Sequence, residues 1–157
     1  PYIIASYLWN TFDFCAPMWV RGGVPARNMK GLVTFDRKIK KDSYFWYKAN
    51  WSKEPVLYLT QRRNAVREKK ETSITVYSNI GTPKVYLNGK ELTGVRKGYT
   101  DVHYIFDKVV LDDGKNVLKA SLLHQGKEYT DEREWNYNGE CNREADFLEH
   151  KKEHGSW

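Results

Sequence analysis

The opening residues limit the fold most tightly. Tyr2, Ile3, Ile4, Ala5, Tyr7, Leu8 and Trp9 form a nearly unbroken apolar and aromatic run. It lacks the period-two alternation of a half-exposed strand and reads as one covered on both faces, the usual state in parallel sheets. Parallel neighbours need crossover helices, and one follows. Asp42 is a natural N-cap, and Ser43 to Trp51 places Phe45 with Ala49, and Tyr47 with Trp51, at i and i+4. The expected helix has about two to three turns. One strand and one helix cannot close a barrel or cover both faces of the strand. The strand is therefore expected to belong to a larger sheet whose other members lie upstream.

Between strand and helix, residues 15–31 form a long loop containing Pro17, Gly22, Gly23, Pro25 and Gly31. Loops of such length in compact proteins tend to carry function. Val33 to Phe35 reads as a short extended piece. From Pro55 onward the pattern changes to seven short strands: 56–60, 73–78, 84–87, 91–93, 102–110, 117–123 and 128–135. Asn88-Gly89 is a strong two-residue hairpin signal, since a type I′ turn needs positive φ at both positions. Asp113-Gly114 and Gln125-Gly126 mark two further turns. Ile74 with Val76, Val85 with Leu87, and Leu118 with Ala120 and Leu122 alternate as half-buried strands do. Short strands at this spacing predict an immunoglobulin-like β-sandwich without a cysteine pair. Three segments result: 1–54, the strand, loop and helix; 55–137, the sandwich; and 138–157, a charged tail with a short helix expected at 147–151.

Composition excludes several classes. At 157 residues, 40% hydrophobic and 15% aromatic, the chain has enough apolar material for a core. Its net charge of +6 is uneven: nine Lys or Arg against four acids leave +5 in residues 1–54 and +1 in the remainder. Those cations are scattered over a Gly- and Pro-bearing loop and a short helix, with no nucleic-acid module, so no nucleic-acid partner is expected. No run approaches the roughly 18 apolar residues of a membrane span, and residues 1–5 lack the charged flank of a signal peptide. Cys15 and Cys141 have no companions at metal-ligand spacing. His150 and His154, at i and i+4 on a charged tail, read as solvated rather than metal-binding.

Asn28-x-Lys30-Gly31-Leu32-Val33-Thr34-x-Asp36-Arg37-Lys38-x-Lys40-Lys41-Asp42, followed by Tyr47-Lys48-Ala49-Asn50-Trp51, resembles the closing segment of the barrel in glycoside hydrolase family 2. The phrasing is nearest to its bacterial β-galactosidases. The resemblance runs over residues 1 to about 137, strongly up to Trp51 and weakly beyond. It implies a mostly β fold, an immunoglobulin-like sandwich preceded by the last βα unit of a (β/α)8 barrel.

It also implies site residues. Trp9 becomes the aromatic at the end of the eighth barrel strand, facing the sugar pocket, where an indole offers a face to C–H groups and an N–H to a hydroxyl. Asn10 and Asp13, at the same strand end, read as loop support. Asn28 and Lys30 match an Asn-x-Lys pattern that the family's β-glucuronidases use to grip the sugar carboxylate. An amide and an ammonium suit that task, though in a galactosidase the same pair would only order the loop. The two catalytic glutamates of the family lie on earlier barrel strands, so no catalytic residue is assigned here. Asp13, Asp36, Asp42 and Glu54 read as strand end, loop, helix cap and linker.

The expected function is that of a C-terminal fragment of a retaining glycosidase hydrolysing terminal β-galactosides. Inactive alone, it would supply part of the pocket wall and a supporting sandwich. Its partners would be a carbohydrate substrate and the remaining barrel, without redox cofactor or assigned metal ligand. A periplasmic or secreted location follows from the resemblance alone. Two alternatives stand beside this: a fragment of a β-glucuronidase, and a carbohydrate-binding module using Trp135, Tyr137 or Tyr99 as a platform. An independent protein that only imitates the family would need a self-sufficient fold around residues 2–9.

Overall fold

The computed structural model describes residues 2–18 and 25–139, which divide into two compact units, one ending at Tyr44 and one starting at Phe45. The first unit is held by short pairings. β1 (Phe14–Cys15) and β2 (Arg27–Asn28) run antiparallel, with Phe14 opposite Asn28 and Cys15 opposite Arg27. Val33 bridges Phe12 in parallel and Lys40 in antiparallel sense. Its N–H donates to Thr11 O at 2.9 Å and its carbonyl accepts Asp13 N–H at 3.0 Å, which buries Val33 beneath the crossing chains.

Residues 3–9 form no strand, although their composition predicts one. A strand exists only through its ladder, and nothing among the described residues pairs with this segment. Tyr2, Ile3, Ile4, Tyr7 and Trp9 are consequently exposed. The apolar pattern is written into the chain, but no sheet among the described residues receives it. The extended piece expected at 33–35 is reduced to the two bridges of Val33.

The second unit is a β-sandwich carrying one helix. α1 (Asp42–Trp51) begins with an acid in its first turn and ends with Lys48 in its last, charges that suit the helix dipole. Nine strands follow in two sheets. β3 (Leu57–Leu59), β5 (Glu71–Ser78), β9 (His103–Val110) and β8 (Val95–Lys97) make a four-stranded sheet in the order β3-β5-β9-β8. β4 (Val66–Arg67), β11 (Lys127–Tyr137), β10 (Gly114–His124), β6 (Lys84–Leu87) and β7 (Lys90–Glu91) make the other, in the order β4-β11-β10-β6-β7. All pairings are antiparallel except β4 with β11.

Alternation decides the core. Ile74 and Val76, Tyr104 and Phe106, Val85 and Leu87, Leu118 and Ala120, and Trp135 point inward from both sheets into one cluster with Leu59 and Leu111. Arg67 lies buried over the Trp135 ring at 4.1 Å, and burial pushes its guanidinium below the ordinary arginine range. Asn88 and Gly89 take φ of 51° and 81°, and Gln125 and Gly126 take 49° and 76°, the positive values that type I′ hairpins require. A second cluster joins Ala49, Val56 and Tyr58, with Phe45 stacked on Tyr58 at 3.8 Å. The helix end is tied in by Asn79, whose amide donates to Ser52 O and Glu54 O and accepts Val56 N–H. The expected helix at 147–151, Cys141, His150 and His154 lie outside the described residues.

Candidate functional site

The residues singled out for sugar recognition fall in the first unit, around the pairing of β1 with β2. Trp9 is exposed and meets Phe14 edge-on at 6.2 Å. Phe14 is the strand partner of Asn28, so β1 and β2 link the Trp9 ring to the Asn28–Gly31 turn. Asn28 is buried, whereas Lys30 two residues later is exposed. The Asn28 Oδ1 accepts the Lys30 N–H at 3.0 Å, an Asx-type turn that closes the loop on itself. In the Asn-x-Lys pair the amide oxygen therefore shapes the turn, and the lysine lies on its exposed side.

Beneath the turn lies a side chain that sequence reasoning placed only as loop support, and another it left unassigned. Asp13 is buried, and its Oδ1 accepts the Gly31 N–H at 2.9 Å and the Lys41 Nζ at 2.6 Å. The Lys41 ammonium also donates to Met29 O at 2.9 Å. With side-chain exposures of 14% for Lys41 and 3% for Asp13, this is an inner ion pair rather than a surface one. Gly31 makes the approach possible: a Cβ there would fall inside contact distance of Asp13 N and Phe12 C. Lys41 was hidden in the run Lys38-x-Lys40-Lys41, where each lysine resembles a solvated charge and the partner lies 28 residues away.

The rim is ordered by shorter-range contacts. Thr34 Oγ1 donates to Asp36 Oδ1 at 2.5 Å and accepts the Ile39 N–H at 3.1 Å. That hydroxyl and the Lys38 backbone N–H hold the Asp36 carboxyl below the ordinary aspartate range. Arg27 lies over Phe35 at 4.4 Å and Arg37 over Phe12 at 4.8 Å. Asn10 passes its backbone carbonyl to Leu32 N–H, while its side-chain Oδ1 is buried and has no hydrogen-bond partner among the described residues.

The sandwich does not assemble the platform expected of a binding module. Trp135 is buried in the core, Tyr137 is partly buried against it, and Tyr99 alone is exposed. Inward-pointing positions of β11 consume the first two rings as packing. An open groove of about 400 Å³ on the outer face of the five-stranded sheet offers a single ring, Tyr86, among Lys119, Ser121, Glu128 and Glu132. No group of three or more His, Cys, Asp or Glu suited to a metal ion occurs among the described residues, and no helix there is long and apolar enough to cross a membrane.

No known family profile matches the chain. A curated β-glucuronidase of Bacteroides fragilis is 35% identical over 133 residues, covering 84% of this chain and 19% of that protein. Among solved structures, a candidate β-galactosidase from Bacteroides fragilis superimposes with a TM-score of 0.86 at 79% identity, over 92% of this chain and 22% of that one. An FMN-binding β-glucuronidase from Facaelibacterium prausnitzii L2-6 gives a TM-score of 0.72 at 39% identity, over 88% of this chain and 20% of that one. The chain therefore matches about a fifth of the length of each of these proteins, and over that stretch it is similar to glycosidases of the β-glucuronidase and β-galactosidase kind.

Proposed function

We propose that this chain is the barrel-closing segment and following immunoglobulin-like domain of a longer retaining glycosidase of glycoside hydrolase family 2, and that the whole enzyme hydrolyses terminal β-glucuronides. The observation that carries this reading is the Asn28–Lys30 turn. A uronic acid differs from a neutral hexose by one carboxylate, and recognising it calls for a cation and N–H donors held in a fixed relation. Here the Lys30 backbone N–H donates to the Asn28 Oδ1, which holds a buried amide in fixed relation to an exposed lysine two residues on. The similarity to the Bacteroides fragilis β-glucuronidase supports the same substrate class.

Within that enzyme, Trp9 forms an apolar wall for the sugar ring and Lys30 with Asn28 meets the carboxylate. The reaction itself belongs to two carboxyl groups about 5 to 5.5 Å apart, one a nucleophile that forms a glycosyl-enzyme and one an acid/base. Both are assigned to barrel strands preceding residue 1. The work of this segment is then differential binding of the sugar in the transition state.

A second reading has a specific observation behind it: the 79%-identical neighbour is a candidate β-galactosidase. On that reading Asn28 and Lys30 only order the loop. The two separate by kinetics of the full-length protein on 4-nitrophenyl β-glucuronide and β-galactoside. Glucuronide turnover is expected to dominate, and Lys30→Ala to lower the glucuronide-to-galactoside ratio of kcat/KM about a hundredfold, the scale of a lost charge-assisted contact. A preference for galactoside that Lys30→Ala leaves unaltered would establish the second reading instead.

A further inference from the structure

We infer that Asp13 and Lys41 are positioning residues for Lys30, fixing the direction in which its ammonium leaves the turn. The inference rests on the uronide reading above and adds the device that makes it selective. Both peptide groups flanking the Lys30 Cα are anchored from below. The Met29–Lys30 peptide is held at its two ends, its carbonyl accepting Lys41 Nζ at 2.9 Å and its N–H donating to Asn28 Oδ1 at 3.0 Å. The Lys30–Gly31 peptide is held through the Gly31 N–H, which donates to Asp13 Oδ1 at 2.9 Å. A single atom, Asp13 Oδ1, receives both the Gly31 N–H and the Lys41 ammonium, so the anchors form one connected unit.

Two lysines stand within this turn's reach, and the structure divides the work between them. The Lys41 ammonium is committed inward, 2.6 Å from Asp13, with 14% of its side chain exposed. Its charge is matched by the buried carboxylate, so the pair orders backbone without adding a second net positive charge beside Lys30. A lone buried lysine would carry its own field and an uncompensated solvation penalty. A neutral substitute at position 41 would strand Asp13 instead. The pair therefore makes a backbone clamp whose charge cancels locally, and discrimination between acidic and neutral sugars is left to Lys30.

The test is a double-mutant cycle in the full-length protein, with Lys41→Met, Lys41→Arg, Lys30→Ala and Lys30→Ala/Lys41→Met assayed on aryl β-glucuronide and β-galactoside. Lys41→Met is expected to lower the glucuronide-to-galactoside ratio of kcat/KM by about tenfold or more, as a misplacement of roughly 1 Å does. Lys41→Arg should recover part of that loss, and adding Lys41→Met to Lys30→Ala should lower the ratio no further. Amide hydrogen exchange supplies a readout that does not depend on activity: exchange at Lys30 and Gly31 should quicken in Lys41→Met. Equal losses on both sugars, or full additivity with Lys30→Ala, would reduce Lys41 to a general fold residue and overturn the inference. Unchanged exchange at both amides would overturn it as well. If Lys30→Ala alone leaves the ratio unaltered, the uronide reading fails, and the exchange data still decide whether Lys41 clamps the turn.

Discussion

At the scale of single residues, Gly31 shows how a small choice controls a charged site. Its buried N–H reaches Asp13 because no Cβ stands between the turn and the Phe12–Asp13 backbone. In Gly31→Ala the added methyl meets main-chain atoms, which cannot rotate away as a side-chain end can. The expected loss is about 1–3 kcal/mol, as for other overpacked sites, read by chemical denaturation of the 157-residue chain. An unchanged midpoint would mean that the turn swings clear of Asp13 at little cost. The Asn28–Lys30 turn was legible in the sequence, because the hydrogen bond that closes it spans only two residues. The site was legible only in part for Asp13, placed as strand-end support, and not for Lys41. The bond joining the latter two closes across 28 residues, and nothing in a run of lysines marks the one that turns inward.

Among elements, the hairpins were the most readable, because a type I′ turn writes its φ requirement into two adjacent residues. Asn88-Gly89 and Gln125-Gly126 both adopt it. What the dipeptide does not reveal is that Asn88 also has a long-range role. Its Oδ1 accepts Val117 N–H at 2.7 Å, and its Nδ2 donates to Asp112 Oδ2 at 2.7 Å and to Asn116 Oδ1 at 3.2 Å. Asn116, fully buried, accepts Asp112 N–H and donates to Asp112 O and Gly114 O, so it fixes the β9–β10 turn from within. Asn116→Ala would leave one donor and two acceptors of the main chain without these partners. The expected destabilisation is on the order of 2–4 kcal/mol, with Asn116→Asp recovering only the accepting half. A loss under about half a kcal/mol, the level of an ordinary surface change, would refute the clamp. β4 and β8 escaped sequence reading for a different reason. Val66–Arg67 and Val95–Lys97 are two and three residues long, too short for alternation to register, and they exist because longer strands beside them offer a ladder.

For the whole molecule, the pattern of the sequence and the packing of the chain place their transitions at different points. Strand-like alternation starts at Pro55, yet Phe45 stacks on Tyr58 and Ala49 is buried beside Val56 and Tyr58. Residues 3–9, by contrast, carry an apolar pattern for which no partner exists among the described residues. Each region owes its state to its neighbours: α1 has a sheet face to cover, and the opening segment has no ladder to join. The difference is measurable by shortening the chain. Residues 42–139 should unfold cooperatively without the segment that precedes them. Residues 55–139 should be less stable by on the order of 3 kcal/mol, since removing Phe45 and Ala49 uncovers the Tyr58 ring and Val56, at roughly 25 cal/mol per Å² of apolar surface. Urea unfolding of the two chains, followed by the circular dichroism of the β-sheet, gives the comparison directly. Equal stabilities would show that α1 merely rests on the sandwich, and the boundary would then lie at Pro55, where alternation begins; a full 3 kcal/mol would make the helix part of the sandwich core.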